Sequence, residues 1–284
     1  MTQEQAKLDI ISEAIENVLV ERNLRGMKSV QPALSPGYVL RAAKWMQACT
    51  GTVLIGTGFP VVDTFETDGP VGAISLYNAM KAIGANPVLV CGAPLSTALK
   101  EDFLVHEIQV GEHEGREEEA ADALKQFQPE LIISIERPGQ AADGGYYNMR
   151  GESISPRAAC FDSIMRQSTC KTIAIGDGGN EIGMGNISEA LRDLDIVPAA
   201  TECDELIVAD VSNWGGHGLV AMLSVLQNQD LLEPFDNLEC LQYLSARGSV
   251  DGVTRENTLT EDSLPADEGV KLLLELRRLT GFSA

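Results

Sequence analysis

The feature that most constrains the fold is an alternation between short apolar runs and longer helical patterns. The apolar runs are rich in β-branched side chains and fall at residues 53–55, 88–90, 108–110, 131–133, 172–175 and 206–208. Runs without polar alternation are typical of strands buried on both faces. Strands that alternate with helices form parallel sheets. The sequence therefore predicts a doubly wound α/β fold, with a mainly parallel sheet and helices on both faces.

The segment before the first of these runs has a different pattern. Leu8, Ile11 and Ile15 recur at helical spacing, which predicts a helix over residues 3–22. A break around Pro32 precedes a second predicted helix over 38–48. We therefore divide the chain into an N-terminal helical appendage, residues 1–48, and an α/β domain, residues 49–284. The other predicted helices begin at Pro70 or cover 117–127, 160–166, 218–226 and 270–281, the last preceded by a polar loop over 245–264.

Charge excludes several classes of partner. The chain has 42 acidic and 21 basic residues, a formal charge of −21, which disfavours nucleic acid and anionic membrane surfaces. No apolar run reaches the ~18 residues of a membrane span, and the N-terminus lacks a signal-peptide pattern. The six cysteines form no CxxC pair, which favours reduced thiols over a zinc site. We expect a cytoplasmic protein, and the sequence leaves homo-oligomer formation open.

Acidic side chains follow several of the predicted strands. They are Glu66, Asp68, Glu136, Asp177, Glu181 and Asp210. The carboxyl ends of parallel strands meet at one edge of the sheet, where open α/β folds bind ligands. Crowded carboxyls either raise one another's pKa, which gives a general acid, or require a divalent cation held by Glu66, Asp68 and Asp177. In a structural alternative, Asp68 caps the helix that begins at Pro70 and Glu66 complements its dipole.

A glycine-rich segment follows the fifth predicted strand. Residues 176–186 contain five glycines, two carboxylates and two amides. Glycine inside a regular element sacrifices up to ~1 kcal/mol, so this composition indicates a loop that approaches a ligand closely or forms a backbone nest for an anion. The segment lacks the lysine of a P-loop, and residues 56–58 do not form a dinucleotide fingerprint. We expect no nucleotide cofactor, whereas a divalent cation is left open.

Basic side chains are scarce and stand out near the same edge. Arg137 follows the fourth predicted strand and Arg150 lies in the next loop; guanidinium groups suit bidentate capture of a carboxylate. Alternatively, both arginines neutralise acidic neighbours in a structural network. His217 follows the last predicted strand and is a candidate for proton transfer. Arg255 is predicted to lie in a surface turn.

Five segments carry a resemblance to a known family. They are ETDGP at 66–70, ERPG at 136–139, DGGYYNMRG at 143–151, IGDGGNEIGMGN at 175–186 and SNWGG at 212–216. Together they resemble the carboxyl-terminal domain of the D-glutamate cyclase family, over roughly residues 50–282. Long members of that family carry an additional amino-terminal domain, and we expect this chain to be without it. The resemblance implies a lyase that closes D-glutamate to 5-oxo-D-proline with loss of water.

The same resemblance suggests roles for individual residues. Asp177 and Glu181 would form the acid/base pair, with Glu66 and Asp68 assisting or ligating a cation. Substrate-binding residues would be Arg137, Asn148, Arg150, Gly178, Gly179 and Asn180. The two arginines would hold the carboxylate, the two asparagines would orient it, and the glycine N–H groups would hold the oxyanion.

Two other classes of function stay open at this point. One is a non-catalytic or regulatory module that binds a small acidic metabolite at the same edge. The other is a metal-dependent hydrolase or transferase that uses the carboxylate cluster. The sequence alone does not separate them from the lyase.

Overall fold

A six-stranded parallel sheet forms the centre of the computed structural model, which describes residues 2–283. Its strands are β1 (Thr52–Thr57), β4 (Asn86–Cys91), β5 (Val105–Glu107), β6 (Leu131–Ile135), β7 (Lys171–Gly176) and β8 (Glu205–Val208). Two small antiparallel hairpins lie outside it: β2 (Pro60–Val61) with β3 (Thr64–Phe65), and β9 (Thr260–Glu261) with β10 (Leu264–Pro265).

The strand order of the sheet is β5-β4-β1-β6-β7-β8. From β1 the chain first builds outward through β4 and β5, and then returns to β6 on the other side of β1. The strand order therefore reverses between β1 and β6, whose register pairs Val53 with Leu131. In open α/β sheets a crevice opens at the carboxyl ends of the strands at this point, and ligands bind there.

Helices cover both faces of the sheet. They are α1 (Gln3–Leu19), α2 (Met27–Val30), α3 (Tyr38–Ala48), α4 (Pro70–Ala82), α5 (Leu95–Leu99), α6 (Arg116–Phe127), α7 (Asp162–Gln167), α8 (Ser212–Gln227), α9 (Asn237–Ser245) and α10 (Ala266–Leu279). Three short 3₁₀ helices occupy Gln31–Ala33, Met184–Ile187 and Ala190–Asp193. None of the helices within residues 2–283 combines the length and the hydropathy that a membrane crossing requires.

Two hydrophobic cores hold these layers together. Val53 and Ile55 of β1 point into a core formed with α1, α3, α4, α8, α9 and α10. Leu54, between them, points into the opposite core, where α6 and α7 pack. This alternation places apolar side chains on both faces of the strand, as expected for a buried parallel sheet. The predicted doubly wound α/β fold is confirmed.

The N-terminal helices share one of these cores. Ile15 and Leu19 of α1, together with residues of α3, pack in the same cluster as α8. A buried carboxylate joins the two helices, because Glu16 accepts hydrogen bonds from Gly37 N (3.1 Å) and Val39 N (3.1 Å). The division into an appendage over 1–48 and a domain over 49–284 stays a prediction.

Three predicted boundaries were wrong. The third strand covers Val105–Glu107 rather than 108–110, because the chain then leaves the sheet and Val110 bridges to Ala159. Helix α8 begins at Ser212, six residues before the prediction, because a distant carboxylate caps it. The segment 245–264, predicted as a loop, contains strand β9. Local sequence patterns cannot predict such long-range contacts.

Candidate functional site

A polar cavity of about 160 Å³ opens beyond the carboxyl ends of β1, β6 and β7. Its volume is below the roughly 300–1,000 Å³ of clefts that take drug-sized molecules, so it suits a small metabolite. Two groups of charged residues line it. The acidic floor, as we name the buried carboxyls, consists of Glu66, Glu136, Asp177, Glu181 and Asp262. The basic rim, made of exposed guanidinium groups, consists of Arg150, Arg157 and Arg255.

Two floor residues come directly from strand ends. Glu136 follows β6 and Asp177 follows β7, so the parallel pairing of these strands brings both carboxyls to one place. Glu136 has a φ of +45°, a left-handed conformation that is uncommon for a residue other than glycine. Its Oε2 accepts a hydrogen bond from Ser212 Oγ (2.5 Å). Strained residues of this kind are concentrated at functional sites, which makes Glu136 a candidate site residue.

Asp68 caps a helix, but a different helix from the expected one. Its Oδ1 accepts from Asn213 N (2.7 Å) and its Oδ2 from Ser212 N (2.9 Å), the first residues of α8. It also accepts from Gly69 N (2.9 Å), just before α4. The carboxylate thus lies at the positive end of the α8 dipole, behind the acidic floor. The predicted role in capping only the helix that begins at Pro70 was incomplete.

The glycine loop holds one of its own side chains. Glu181 folds back so that Oε1 accepts from Gly178 N (2.9 Å) and Oε2 accepts from Gly179 N (2.8 Å). Gly179 has a φ of +109°, which favours glycine and turns both N–H groups toward the carboxylate. The loop is therefore a backbone nest, as the composition predicted, but Glu181 occupies it. The two N–H groups predicted to hold a substrate oxyanion already have an acceptor.

Arg25 enters this site from the segment between α1 and α2. Its Nη2 donates to Oδ2 of Asp177 and to Oδ2 of Asp262, and the arginine lines the cavity. Asp262 reaches the floor from the two-residue turn between β9 and β10, where it has a φ of +50°. The guanidinium therefore joins two carboxyls that are 85 residues apart in the sequence.

Burial dominates the protonation of the floor. It raises the pKa of Glu66, Glu136 and Asp177 well above the ordinary values, since water cannot solvate their charged forms, and neighbouring carboxyls add to the effect. Arg25 opposes these shifts at all three residues. The pKa of Asp68 is raised to about 7, mainly by burial and by the charge of Asp262. Glu66, Glu136 and Asp177 therefore hold a proton to higher pH than ordinary carboxyls do.

Three carboxyls lie close enough to share a cation. Asp68, Glu136 and Asp177 each offer one oxygen, and these oxygens lie within 4.8 Å of one another. This set differs from the predicted one, since Glu136 takes the place of Glu66. Protein donors also point at the same groups: Oδ2 of Asp177 accepts from Arg25 and from Ser212 N (3.2 Å). One of the three candidate ligands, Asp177, is therefore already paired with a guanidinium.

The rim is carried by loops. Arg150 donates to the carbonyl of Val253 (3.1 Å), and Arg255 donates to Oε2 of Glu152 (3.1 Å). Arg157 donates to the carbonyl of Val62. These contacts tie loops from distant parts of the sequence across the mouth of the cavity. Arg255, which we predicted to lie in a surface turn, is therefore a cavity residue.

The two predicted asparagines line the cavity and also shape its walls. Asn148 Oδ1 accepts from Arg150 N (2.9 Å), and its Nδ2 donates to Oε2 of Glu152 (2.7 Å). Asn180 Nδ2 donates to the carbonyl of Tyr147 (2.9 Å). Each asparagine therefore fixes the loop that carries rim residues, and a role in orienting the substrate stays a prediction.

Arg137 lies away from the acidic floor. Its Nη1 donates to the carbonyls of Thr57 (3.1 Å) and Gly58 (2.7 Å), and its Nη2 donates to the carbonyl of Ala159. Burial lowers the pKa of this arginine. The side chain fastens the end of β1 to the loop before α7 through main-chain carbonyls. These contacts are structural, but they are not the neutralisation of acidic neighbours that the alternative predicted. Carboxylate binding by Arg137 stays untested.

Two further residues of the sequence analysis have structural contacts. Asp210 accepts from Arg22 N (2.8 Å) and Leu24 N (3.2 Å), which holds the chain after α1. His217 is completely buried within α8, with Nδ1 3.2 Å from Ser75 Oγ. Burial lowers the pKa of His217 to about 4, so its imidazole is neutral at physiological pH. Its surroundings are those of a core histidine.

Sequence reasoning missed Arg25, Asp262 and Arg157. Arg25 lies in a segment that we assigned to an appendage, and its local sequence has no motif that points to a ligand. Asp262 occupies a tight hairpin turn, whose sequence, Glu-Asp-Ser, offered a weak signal. Basic residues are scarce in this chain, so each arginine was a candidate. The sequence analysis selected Arg137 and Arg150, which follow a predicted strand or lie in the next loop.

Comparison with known proteins identifies the family. The family model described as "D-glutamate cyclase-like, C-terminal" matches residues 15–277. This chain belongs to that family. The human protein "D-glutamate cyclase, mitochondrial" is 32% identical over 202 residues, which cover 62% of this chain and 33% of the human protein. The chain therefore spans about a third of the length of that relative, and the resemblance drawn from the five sequence segments is confirmed.

One solved structure is similar over most of the chain. It is described as an exopolyphosphatase-related protein from Bacteroides fragilis, and the match covers 88% of this chain and 62% of that protein. The sequences are 13% identical and the TM-score is 0.43.

Proposed function

We propose that this chain closes D-glutamate to 5-oxo-D-proline and water. The observation that carries the proposal is the cavity itself, which places buried carboxyls opposite exposed guanidinium groups in about 160 Å³. Membership of the D-glutamate cyclase-like family supports the same reaction.

Opposite charges in the cavity match the charges of the substrate. Glutamate carries one ammonium and two carboxylates. The ammonium would face the acidic floor, while a carboxylate would reach the basic rim, where Arg150 and its neighbours offer paired N–H donors. Binding in this orientation bends the substrate across the cavity. Positioning of this kind contributes much of the rate of an intramolecular ring closure.

The reaction needs two proton transfers and no external reactant. One bond forms, between the amino nitrogen and the δ-carbon, and one carbon–oxygen bond of the γ-carboxyl breaks. Two protons leave the ammonium, and two arrive on the oxygen that departs as water. Carboxyl groups that exchange protons with one another can carry both transfers.

The floor contains groups suited to each transfer. Burial raises the pKa of Asp177 as it does for Glu66 and Glu136, but Asp177 differs from those two because Arg25 contacts it directly. This contact favours the ionised form of Asp177, which makes it the more suitable base of the three. Glu136 and Glu66 are suitable acids, because burial raises their pKa and keeps them protonated near neutral pH. In this scheme Glu181 anchors the loop that carries Asp177, which differs from its expected role as a direct partner of that residue.

The proposal is tested by incubating the purified chain with D-glutamate and measuring 5-oxo-D-proline by chiral chromatography. Formation of that product above the uncatalysed rate is expected. Binding of D-glutamate by calorimetry without turnover would instead favour the non-catalytic module. Turnover that a chelator abolishes, and that a divalent cation restores, would favour a metal-dependent enzyme.

A cytoplasmic location is likewise a proposal. The six cysteines are free thiols in the described residues, which supports a reducing compartment. The human relative is named as a mitochondrial protein. Localisation of the tagged chain in its native cell, by microscopy or fractionation, distinguishes the two.

A further inference from the structure

Arg25 is a cation built into the acidic floor by a segment that precedes the first strand. We propose that it is a positioning residue of the site, which fixes Asp177 and Asp262 beside the cavity. The part of this inference that concerns turnover rests on the proposed function.

The contacts of Arg25 support this role directly. One nitrogen, Nη2, serves both Asp177 and Asp262, which are themselves almost completely buried. Its Nε is also buried, and no partner for that atom is present among residues 2–283. A buried N–H without an acceptor is costly, which sets this arginine apart from one placed only for stability. The side chain lines the cavity and is 20% exposed, so the guanidinium lies beside the space that a ligand would occupy.

The chain around Arg25 is held in place by a residue just beyond the end of β8, the strand next to β7. Asp210, which follows β8, accepts from Arg22 N and Leu24 N, and its own N–H donates to the carbonyl of Leu19 (2.7 Å). Three hydrogen bonds from one residue thus fix the turn after α1. The turn directs Arg25 toward the cavity, so Asp210 acts on the site without touching it.

Charge balance gives the reason for such a residue. The five carboxyls of the acidic floor, with Asp68 behind them, are crowded at one end of the sheet. A buried carboxylate is stable only when it is paired or hydrogen-bonded. The guanidinium neutralises part of this charge without blocking the cavity, and it holds the two aspartates in fixed orientations.

The matched control lies on the same turn. Arg22 stacks over the ring of Trp214, 4.9 Å from its centroid, and pairs with Glu268 at the surface. Its backbone N–H hydrogen-bonds Asp210, and among residues 2–283 its guanidinium makes no hydrogen bond to that carboxylate, although its charge acts on it. Arg22→Ala therefore removes a guanidinium from this turn while leaving the acidic floor and the Asp210 contacts unchanged.

The experiment compares Arg25→Ala, Arg25→Lys and Arg22→Ala with the unmodified chain. We expect Arg25→Ala to lower kcat about 100-fold with a smaller change in KM, and Arg25→Lys to recover part of the loss. Guanidinium chloride at millimolar concentration should restore turnover to Arg25→Ala, relative to sodium chloride at the same concentration. Arg22→Ala should keep normal turnover. A kcat of Arg25→Ala within about threefold of the unmodified chain would overturn the proposal.

A second readout does not depend on catalysis. Thermal unfolding is followed for the same proteins in guanidinium chloride and in sodium chloride. The guanidinium ion should raise the Tm of Arg25→Ala relative to sodium, and it should not do so for Arg22→Ala or the unmodified chain. Equal responses of all three proteins reject the role of Arg25. If the unmodified chain does not convert D-glutamate, the proposed function fails, and this melting experiment alone decides on Arg25.

Discussion

The acidic floor and the basic rim differ in how the chain builds them. Floor residues follow strands or occupy tight turns, and they are at most 7% exposed. Asp68, Asp177, Glu136 and Glu181 each accept hydrogen bonds from groups fixed by α8 or by the glycine loop. The rim residues are exposed, and their guanidinium groups contact loop carbonyls or an exposed carboxylate.

This difference indicates that the floor and the rim have separate roles, proton transfer and ligand binding. Groups that move protons must be placed accurately and shielded from water, which the floor provides. Groups that attract a charged ligand can be mobile and solvated, as on the rim. Dissolved salt then screens the attraction between these groups and the ligand. Floor substitutions should therefore change kcat, whereas rim substitutions should change KM.

The largest effect is expected for Asp177→Asn. Asparagine keeps the size of the side chain but cannot accept the ammonium proton, so kcat should fall about a thousandfold. Product formation and a thermal melt measure activity and folding together. Asp122→Asn, on the exposed face of α6, is the control and should behave as the unmodified chain. Normal turnover by Asp177→Asn would remove this residue from the acid/base scheme.

A smaller effect is expected for the double variant Arg150→Ala, Arg255→Ala. Loss of two exposed guanidinium groups should raise KM about tenfold and leave kcat within about twofold. The KM of the unmodified chain should rise with sodium chloride, and that of the double variant should rise less. Arg192→Ala, which removes an exposed pair with Glu189, is the control. A fall in kcat without a change in KM would show that the rim acts in chemistry.

Gly252→Ala tests the packing of the floor. A Cβ at this position would overlap with Oε2 of Glu66, whereas the backbone of Gly252 is not in the left-handed region. We expect the displaced carboxyl to lower kcat severalfold, with KM less affected. Gly115→Ala, where the nearest atom lies 3.6 Å away, is a matched control. Steady-state kinetics on both variants decide whether Glu66 must keep its position.

The smallest effect is on stability. Burial raises the pKa of Glu66, so the folded chain keeps a proton that the unfolded chain has lost above about pH 5. Unfolding free energy should therefore decrease as pH rises from about 5 to about 8. Glu66→Gln cannot titrate, and we expect its unfolding free energy to decrease less over this range. Urea unfolding at several pH values measures the difference; equal slopes for the two proteins would contradict it.

Prediction from sequence worked best where the signal was local. Five of the six predicted sheet strands overlap observed strands, because runs such as 131–133 are apolar without interruption. Helix α4 begins at Pro70, as its N-terminal preference predicted. The start of α8 could not be found in this way, since Asp68, distant in sequence, supplies its cap.

The site was predictable in part for the same reason. Glu136 and Asp177 reach one cavity because the residues that follow parallel strands meet at one edge. Arg25 was not predictable, because its position depends on how the turn after α1 packs beside Asp210. The fold of Glu181 onto Gly178 and Gly179 was missed because the sequence does not show which acceptor a backbone nest holds.

The carboxyls of the acidic floor also affect how easily a product would leave the cavity. A substrate enters with an ammonium that the carboxyls attract, whereas a lactam leaves with a neutral nitrogen. The cyclised molecule also retains one carboxylate where the open chain had two, so its attraction to the guanidinium groups at the mouth decreases. If the proposed reaction takes place here, we expect 5-oxo-D-proline to bind more weakly than D-glutamate, so that accumulated product inhibits little.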